Sequence, residues 1–152
     1  EALKVLEQYG LLEYKDELPV NLSMGRKHLL TILSVLFSSA DVIIFDEPTL
    51  GMDLAIKNML EDIIKRLAES GKTVIIISHE IPLVFKITDE ILILNEGRKL
   101  TQDSKEALSL RDDLFEQINI ALPPVVVLSK QLGLSRICCD VDSFVQEIME
   151  LI

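Results

Sequence analysis

The chain has 152 residues, of which 49% are hydrophobic and 26% charged, and this composition is typical of a globular protein. Its formal net charge of −10 at pH 7 argues against binding to nucleic acid or to anionic membrane surfaces, since both require clustered Lys and Arg. No apolar stretch approaches the roughly 20 residues that span a bilayer.

The cysteine and histidine content limits the chemistry further. Cys138 and Cys139 are neighbours in the chain, and a disulfide between adjacent cysteines is strained and uncommon. With only two His, a zinc site also lacks ligands. We therefore expect reduced thiols and a cytosolic setting.

Two helices are predicted at the start of the chain. Apolar residues among charges predict an amphipathic helix over residues 1–9, ended by Gly10. A second helix is predicted over residues 24–38, because apolar residues recur there at helical spacing, and Ser23 is its predicted N-cap.

The next segment places two acids at the end of a strand. The apolar run 42–45 is predicted to be a strand buried on both faces, as in a parallel sheet, and it leads directly into Asp46 and Glu47. Ligands bind at the carboxyl ends of strands in open α/β sheets. A solvated acidic turn closed by Pro48 explains the hexapeptide equally well, so both interpretations stand at this point.

A crossover to a second parallel strand follows. Asp53 is predicted to cap a helix that Gly71 ends, and residues 74–77 are predicted to be another buried strand, leading to His79. The predicted core face of the helix consists of Leu54, Met59, Leu60, Ile63, Ile64 and Leu67.

The remaining chain is predicted to be a short helix, a hairpin and a helical appendage. Pro82 suits the first turn of a helix to about Thr88, and residues 90–94 and 98–100 suggest a hairpin at the sheet edge. Helices are then predicted over residues 108–120, 125–132 and 143–152, the last opened by the capping-box pattern Ser143-x-x-Gln146. We expect an α/β domain over residues 1–103 and a helical C-terminal extension over residues 104–152.

Four short motifs in register make the chain recognisable. They are Leu22-Ser23-x-Gly25, a strand ending in Asp46-Glu47-Pro48-Thr49, then Leu50-Gly51-Met52-Asp53, and a strand ending in Ser78-His79. This order and spacing resemble the signature loop, Walker B strand, D-loop and switch-histidine loop in the C-terminal half of an ABC-type ATPase, a P-loop NTPase fold. The resemblance covers residues 1 to about 102.

The resemblance implies a role for each site residue. Asp46 would hold Mg²⁺ through water, Glu47 would activate the attacking water, and His79 would contact the phosphate. Ser23 and Gly25 would bind the γ-phosphate of ATP held by the other subunit, with Asp53 at the same interface. From the residues alone, Ser23 and Asp53 are also ordinary helix caps, and a lone His after a strand is usually a surface residue.

Two departures from the family pattern concern the phosphates. Met24 and Arg26 replace the Gly and Gln of the usual Leu-Ser-Gly-Gly-Gln, so phosphate binding could be weakened by Met24 or supported by the charge of Arg26. The six glycines include no pair with the P-loop spacing Gly-x4-Gly-Lys-[Ser/Thr]. Since the chain also does not begin with Met, we expect a fragment of a longer ATPase that is inactive by itself.

The tail 122–134, which reads Leu-Pro-Pro-Val…Leu-Gly-Leu, is similar to the extension of energy-coupling-factor ATPases, the importers of cobalt, nickel and vitamins. This implies an ATP- and Mg²⁺-dependent importer subunit that pairs with a second ATPase subunit and with integral membrane subunits, at the cytoplasmic face of the membrane and without nucleic acid. A generic helical cap also explains the tail. The alternatives are a non-catalytic dimerisation module and an ATPase of a DNA-repair-like system.

Overall fold

The computed structural model describes residues 1–150. The chain divides between Ser78 and His79 into two compact units. The boundary predicted after residue 103 remains a prediction.

The first unit is a parallel strand pair joined by a crossover helix, as the sequence predicted. Strand β1 pairs with β2 in parallel, from Val42 opposite Thr73 to Asp46 opposite Ile77. Two 3₁₀ turns, Leu12–Tyr14 and Pro19–Asn21, lie between the first two helices. The elements are α1 (Ala2–Gln8), α2 (Met24–Val35), β1 (Val42–Asp46), α3 (Leu54–Glu69) and β2 (Thr73–Ile77).

Both predicted helix caps of this unit are confirmed. The Ser23 hydroxyl accepts a hydrogen bond from the Arg26 amide, and the Asp53 carboxylate accepts one from the Ile56 amide. Helix α2 ends at Val35, three residues before the predicted end, because the chain then turns through tighter hydrogen bonds from Leu36 and Phe37 to carbonyls three residues back.

The core face of α3 is narrower than predicted. Leu60, Ile63, Ile64 and Leu67 are buried, whereas Leu54 is 75% exposed, so its assignment to the core was wrong. At 100° per residue, Leu54 points roughly 120° away from Leu60 around the helix axis. This places Leu54 outside the stripe that faces the sheet.

The predictions that β1 is buried on both faces and that β2 is another buried strand were also wrong. In β1, Ile43 and Phe45 are buried, but Val42 and Ile44 are 52% and 61% exposed. The β2 residues Ile75 and Ile77 are likewise 44% and 52% exposed. Helix α3 packs against β2 and α2 on one side of the sheet, and alternation along each strand turns every second side chain to the other side.

The second unit contains a short helix, an antiparallel hairpin and four further helices. The predicted hairpin is confirmed, but its predicted place at the edge of the sheet was wrong, since among the described residues β3 and β4 pair only with each other. Its turn residues Glu96 and Gly97 both have positive φ, 50° and 73°, as a type I′ turn requires. The elements are α4 (Ile81–Ile87), β3 (Glu90–Asn95), β4 (Arg98–Ser104), α5 (Lys105–Ser109), α6 (Asp112–Gln117), α7 (Pro124–Gln131) and α8 (Val141–Glu150).

This unit has its own hydrophobic core. Phe85 of α4 and Phe115 of α6 lie with ring centroids 6.0 Å apart at a tilt of 56°, an arrangement that aromatic pairs favour. Leu108 and Val126 are buried in the same cluster. Cys138 and Cys139 are buried free thiols, and burial raises the pKa of the Cys139 thiol.

Two helix predictions in this unit were wrong. The helix predicted over residues 108–120 is two helices, α5 and α6, since Ser104 caps the first and the acidic pair Asp112 and Asp113 favours a new helix N-terminus. Helix α8 begins at Val141, before the predicted capping box, because the Asp140 carboxylate accepts the Ser143 amide hydrogen bond. Residues 151 and 152, the predicted end of this helix, lie outside the described residues.

Within residues 1–150, no helix combines the length and apolarity needed to cross a bilayer.

Gly71 ends α3 and turns the chain into β2, so we expect a change there to lower stability. Its φ is +86°, and no atom lies within 4 Å of where a Cβ would be placed, so any cost comes from the backbone alone. Gly71→Ala should lower the free energy of unfolding by about 1–2 kcal/mol, measured by urea denaturation. Gly71→Asn is the control and should cost less, since Asn tolerates this conformation. An Ala variant as stable as the parent would contradict the prediction.

Candidate functional site

The two predicted acids lie at the carboxyl end of β1. Asp46 is the last residue of β1 and sits opposite Ile77, the last residue of β2. The Glu47 amide donates a hydrogen bond of 2.8 Å to the Ile77 carbonyl, so the pairing continues one residue beyond the strand. Asp46 is exposed and Glu47 is partly buried. The neighbouring carboxylates therefore occupy different environments.

Glu47 has a strained backbone. Its φ is +45°, in the left-handed region that residues with a side chain rarely adopt, and such a residue costs roughly 1–3 kcal/mol. The turn that follows is closed by hydrogen bonds from the Leu50 amide to the Glu47 carbonyl and from the Met52 amide to the Thr49 carbonyl. This turn, residues 47–53, is called the 47–53 loop below. No residue pattern around Glu47 indicated this conformation.

The predicted anion site is the N-terminus of α2. The hydrogen bond from the Arg26 amide to the Ser23 hydroxyl is 3.4 Å long, against 2.9 Å for the Asp53 cap of α3. A bond of 3.4 Å is longer than ordinary N–H···O bonds, so it holds the hydroxyl weakly. Because Ser23 is also exposed, its hydroxyl can cap the helix and still bind an anion.

The start of α2 packs closely against the 47–53 loop and the start of α3. Gly25 is buried, and a Cβ at this position would lie 2.7 Å from Ile56 Cδ1 and 3.6 Å from the Gly51 carbonyl oxygen. His28 Nδ1–H donates a 2.9 Å hydrogen bond to the Leu50 carbonyl. These contacts join the predicted anion site to the loop that follows the acids.

The Arg26 side chain lies over an aromatic ring. Its guanidinium carbon lies 4.5 Å from the centroid of the Tyr14 ring, within the range of a cation–π interaction. A hydrogen bond to the Glu13 side chain raises the pKa of the Tyr14 hydroxyl. Tyr14 and His28 could not be identified from the sequence, since both contacts join residues that are far apart in the chain.

The structure places the predicted residues in two groups. Ser23, Gly25, Arg26, Asp46, Glu47 and Asp53 all belong to the first unit. His79 is the first residue of the second unit, where its carbonyl accepts a hydrogen bond from the Ile81 amide ahead of α4. The predicted role of His79 beside the acids remains a prediction.

A family model matches residues 5–85, and its description is "AAA domain, putative AbiEii toxin, Type IV TA system". This match covers the helices and strands that carry every predicted site residue.

The curated relatives include energy-coupling factor transporter ATP-binding proteins and putative ABC transporter ATP-binding proteins. The chain is 34% identical to the energy-coupling factor transporter ATP-binding protein EcfA2 of Mycoplasmoides gallisepticum over 130 residues, which are 85% of this chain and 41% of the relative. It is 32% identical to EcfA3 of Oenococcus oeni, over 86% of this chain and 46% of the relative. The chain thus spans somewhat less than half the length of these relatives.

Solved structures from ABC transporters also match the chain. An ATP-binding cassette of an ABC transporter in its ADP conformation matches with a TM-score of 0.64 and 25% identity, over 78% of this chain and 48% of the other. CbiO1 of Clostridium perfringens, part of the ABC transporter complex cbiONQ, matches with a TM-score of 0.60 and 28% identity, over 84% and 51%. The α/β fold class predicted from the sequence is confirmed.

The contact between Gly25 and Ile56 can be tested by a double-mutant cycle. In the parent, Gly25→Ala should bring little or no gain in stability, because the added methyl displaces Ile56. In an Ile56→Val background, which lacks Cδ1, the same change should stabilise the chain by up to about 1 kcal/mol through helix propensity. Equal effects in both backgrounds, measured by urea denaturation, would show that the two residues do not interact.

The His28 bond can be tested by amide hydrogen exchange. His28→Leu removes the donor, and we expect faster exchange in the 47–53 loop and a loss of about 1 kcal/mol in stability. Lys27→Leu, on the same helix, is the matched control. Unchanged exchange in the loop of the His28 variant would exclude this link.

Proposed function

We propose that this chain provides two sets of groups to an ATP-hydrolysing site in an energy-coupling-factor importer: the acidic groups, and the groups that contact ATP held by another subunit. The chain belongs to the ABC-type family of AAA-domain ATPases. The observation that supports the proposal most is the end of β1, where exposed Asp46 and strained Glu47 stand beside Ile77 of the parallel strand. The start of α2 packs against the loop that follows them.

Asp46 suits a magnesium site. Mg²⁺ takes oxygen ligands and keeps several of its waters, so one exposed carboxylate at a strand end is an adequate protein contribution. When bound, Mg²⁺ and ATP supply the phosphoryl group and the charge compensation for its transfer. Asp46 would hold the metal, directly or through water.

Glu47 suits the task of accepting a proton from water. Its backbone is held by the amide hydrogen bond to Ile77 and has a left-handed conformation, and the residue is partly buried whereas Asp46 is exposed. The chain can therefore assign metal binding and water activation to adjacent residues. His79 would complete this group by a hydrogen bond to a phosphate oxygen.

The N-terminus of α2 suits a phosphate held by another subunit. The weakly held Ser23 hydroxyl and the free amides of the first helical turn favour an anion. Met24 is 64% exposed, so most of its side chain faces solvent. Arg26 would contribute charge from beside Tyr14, and Asp53, whose carboxylate caps α3, would contribute through its backbone at the same interface.

The partners follow from the same proposal. These 152 residues contain no P-loop spacing, so ATP binding requires a P-loop from outside them. The relatives named for energy-coupling-factor transporters and the cbiONQ complex support a second ATPase subunit and integral membrane subunits as partners, at the cytoplasmic face of the membrane. The missing P-loop equally favours a non-catalytic dimerisation module as the second candidate function for this chain alone.

Glu47→Gln separates binding from hydrolysis. In an ATPase assembled from this chain and a P-loop segment, we expect phosphate release to fall by at least about a hundredfold, because the proton acceptor is lost, while ATP binding persists. Filter binding of labelled ATP and a phosphate-release assay measure the two effects.

Glu69→Gln, an exposed position near the end of α3, is the control and should leave both unchanged. Turnover that survives Glu47→Gln would reject Glu47 as the proton acceptor. If the assembled wild-type protein fails to hydrolyse ATP, the dimerisation module becomes the better interpretation.

A further inference from the structure

The Arg26 guanidinium contacts an aromatic ring and not a carboxylate. Its carbon lies over the Tyr14 ring, 4.5 Å from the ring centroid. Within residues 1–150 it forms no ion pair, although the chain has a formal net charge of −10 at pH 7. Stacking on an aromatic face leaves the N–H donors at the edge of a guanidinium available to other ligands. The side chain is therefore supported by the ring and still able to bind an anion.

The Tyr14 ring is placed by its own turn of the chain. The Tyr14 amide donates a hydrogen bond of 3.1 Å to the Leu11 carbonyl, and the Tyr14 carbonyl accepts one of 2.9 Å from the Glu17 amide. A hydrogen bond to the Glu13 side chain raises the pKa of the Tyr14 hydroxyl, so the ring is uncharged at neutral pH. The ring thus gives the cation a neutral support that is fixed at its backbone.

Arg26 lies in the first turn of α2, where the predicted anion site is. Its amide donates to the Ser23 hydroxyl, and both residues are exposed. An exposed arginine ordinarily loses rotamer freedom when it binds an anion, and this loss weakens binding. A guanidinium that already rests on a ring loses less, and its planar edge matches two oxygens of one phosphate group.

We propose that Tyr14 is a positioning residue, which holds the Arg26 guanidinium in place for bidentate binding of a phosphate group at the start of α2. The inference rests on the proposed function, which assigns phosphate binding to this helix terminus. It also gives a physical role to Arg26 in place of the usual Gln, because a planar cation offers charge and paired donors together, whereas the side-chain amide of Gln is neutral.

The test uses the 152-residue chain by itself, with inorganic tripolyphosphate as the probe. NMR titration at constant ionic strength follows the Arg26 Nε–H signal and the Ser23 and Gly25 amide signals, and it gives the Kd. Tyr14→Leu should raise the Kd about three- to tenfold, because the guanidinium must then be ordered on binding. Tyr14→Phe keeps the ring and should stay within about twofold of the parent.

A second background separates positioning from a structural effect. In Arg26→Gln, the change Tyr14→Leu should leave the Kd unchanged, because no guanidinium remains to be held. A structural role of Tyr14 alone would weaken binding equally in both backgrounds. Arg26→Lys tests the planar edge at an exposed position without altering Tyr14, and it should also raise the Kd, because an ammonium group cannot bind two oxygens side by side.

Arg66→Gln is the matched control. The Arg66 guanidinium also lies near a tyrosine ring, 5.9 Å from the Tyr9 centroid, but it donates a hydrogen bond of 3.0 Å to the Gln8 side chain. Its removal takes away the same charge at a distant place in the first unit, so the Kd for tripolyphosphate should be unchanged.

The outcomes separate this inference from the proposed function. Equal Kd values for the parent and a folded Tyr14→Leu variant overturn the positioning role, as does equal weakening in both backgrounds. Equal binding by Arg26→Lys, or a parent whose Arg26 signal does not respond to tripolyphosphate, also overturns it. The expected Kd changes, found in a chain whose assembled ATPase does not hydrolyse ATP, would support the positioning role and count against the ATPase proposal.

Discussion

The parallel pairing of β1 with β2 is the constraint on which the candidate site depends. It fixes Asp46 opposite Ile77, and the hydrogen bond from the Glu47 amide to the Ile77 carbonyl extends it into the loop. This bond holds the first residue of the turn against the neighbouring strand. The left-handed backbone of Glu47 then directs the chain towards Asp53 and α3. Without this pairing, neither acid would have a defined position.

The helix caps could be predicted from the sequence, whereas the faces of the strands that are buried could not. Ser23 and Asp53 were identifiable as caps because capping depends on one side chain and the three residues after it. The burial of β1 could not be predicted, because an apolar run has the same sequence pattern whether one or both faces of the strand are covered. The left-handed Glu47 and the bond between His28 and Leu50 were invisible for another reason: both arise from the path of the chain between elements.

The two faces of the sheet in the first unit differ in what covers them. Helix α3 packs against β2 on one side of the sheet and also against α2, whose N-terminus is the predicted anion site. The other side carries Asp46 at one end and otherwise only apolar side chains and Thr73. The predicted catalytic groups and an exposed hydrophobic surface thus share the same two strands, so a change in β1 is expected to affect both.

The hydrogen bond from His28 to Leu50 has a consequence for the tautomer of the imidazole ring. A carbonyl oxygen only accepts, so the bond selects the tautomer with its proton on Nδ1. In the neutral ring Nε2 is then left as a hydrogen-bond acceptor. The tether between α2 and the 47–53 loop is lost when the ring adopts the other neutral tautomer, so the position of one proton decides whether these two segments are joined.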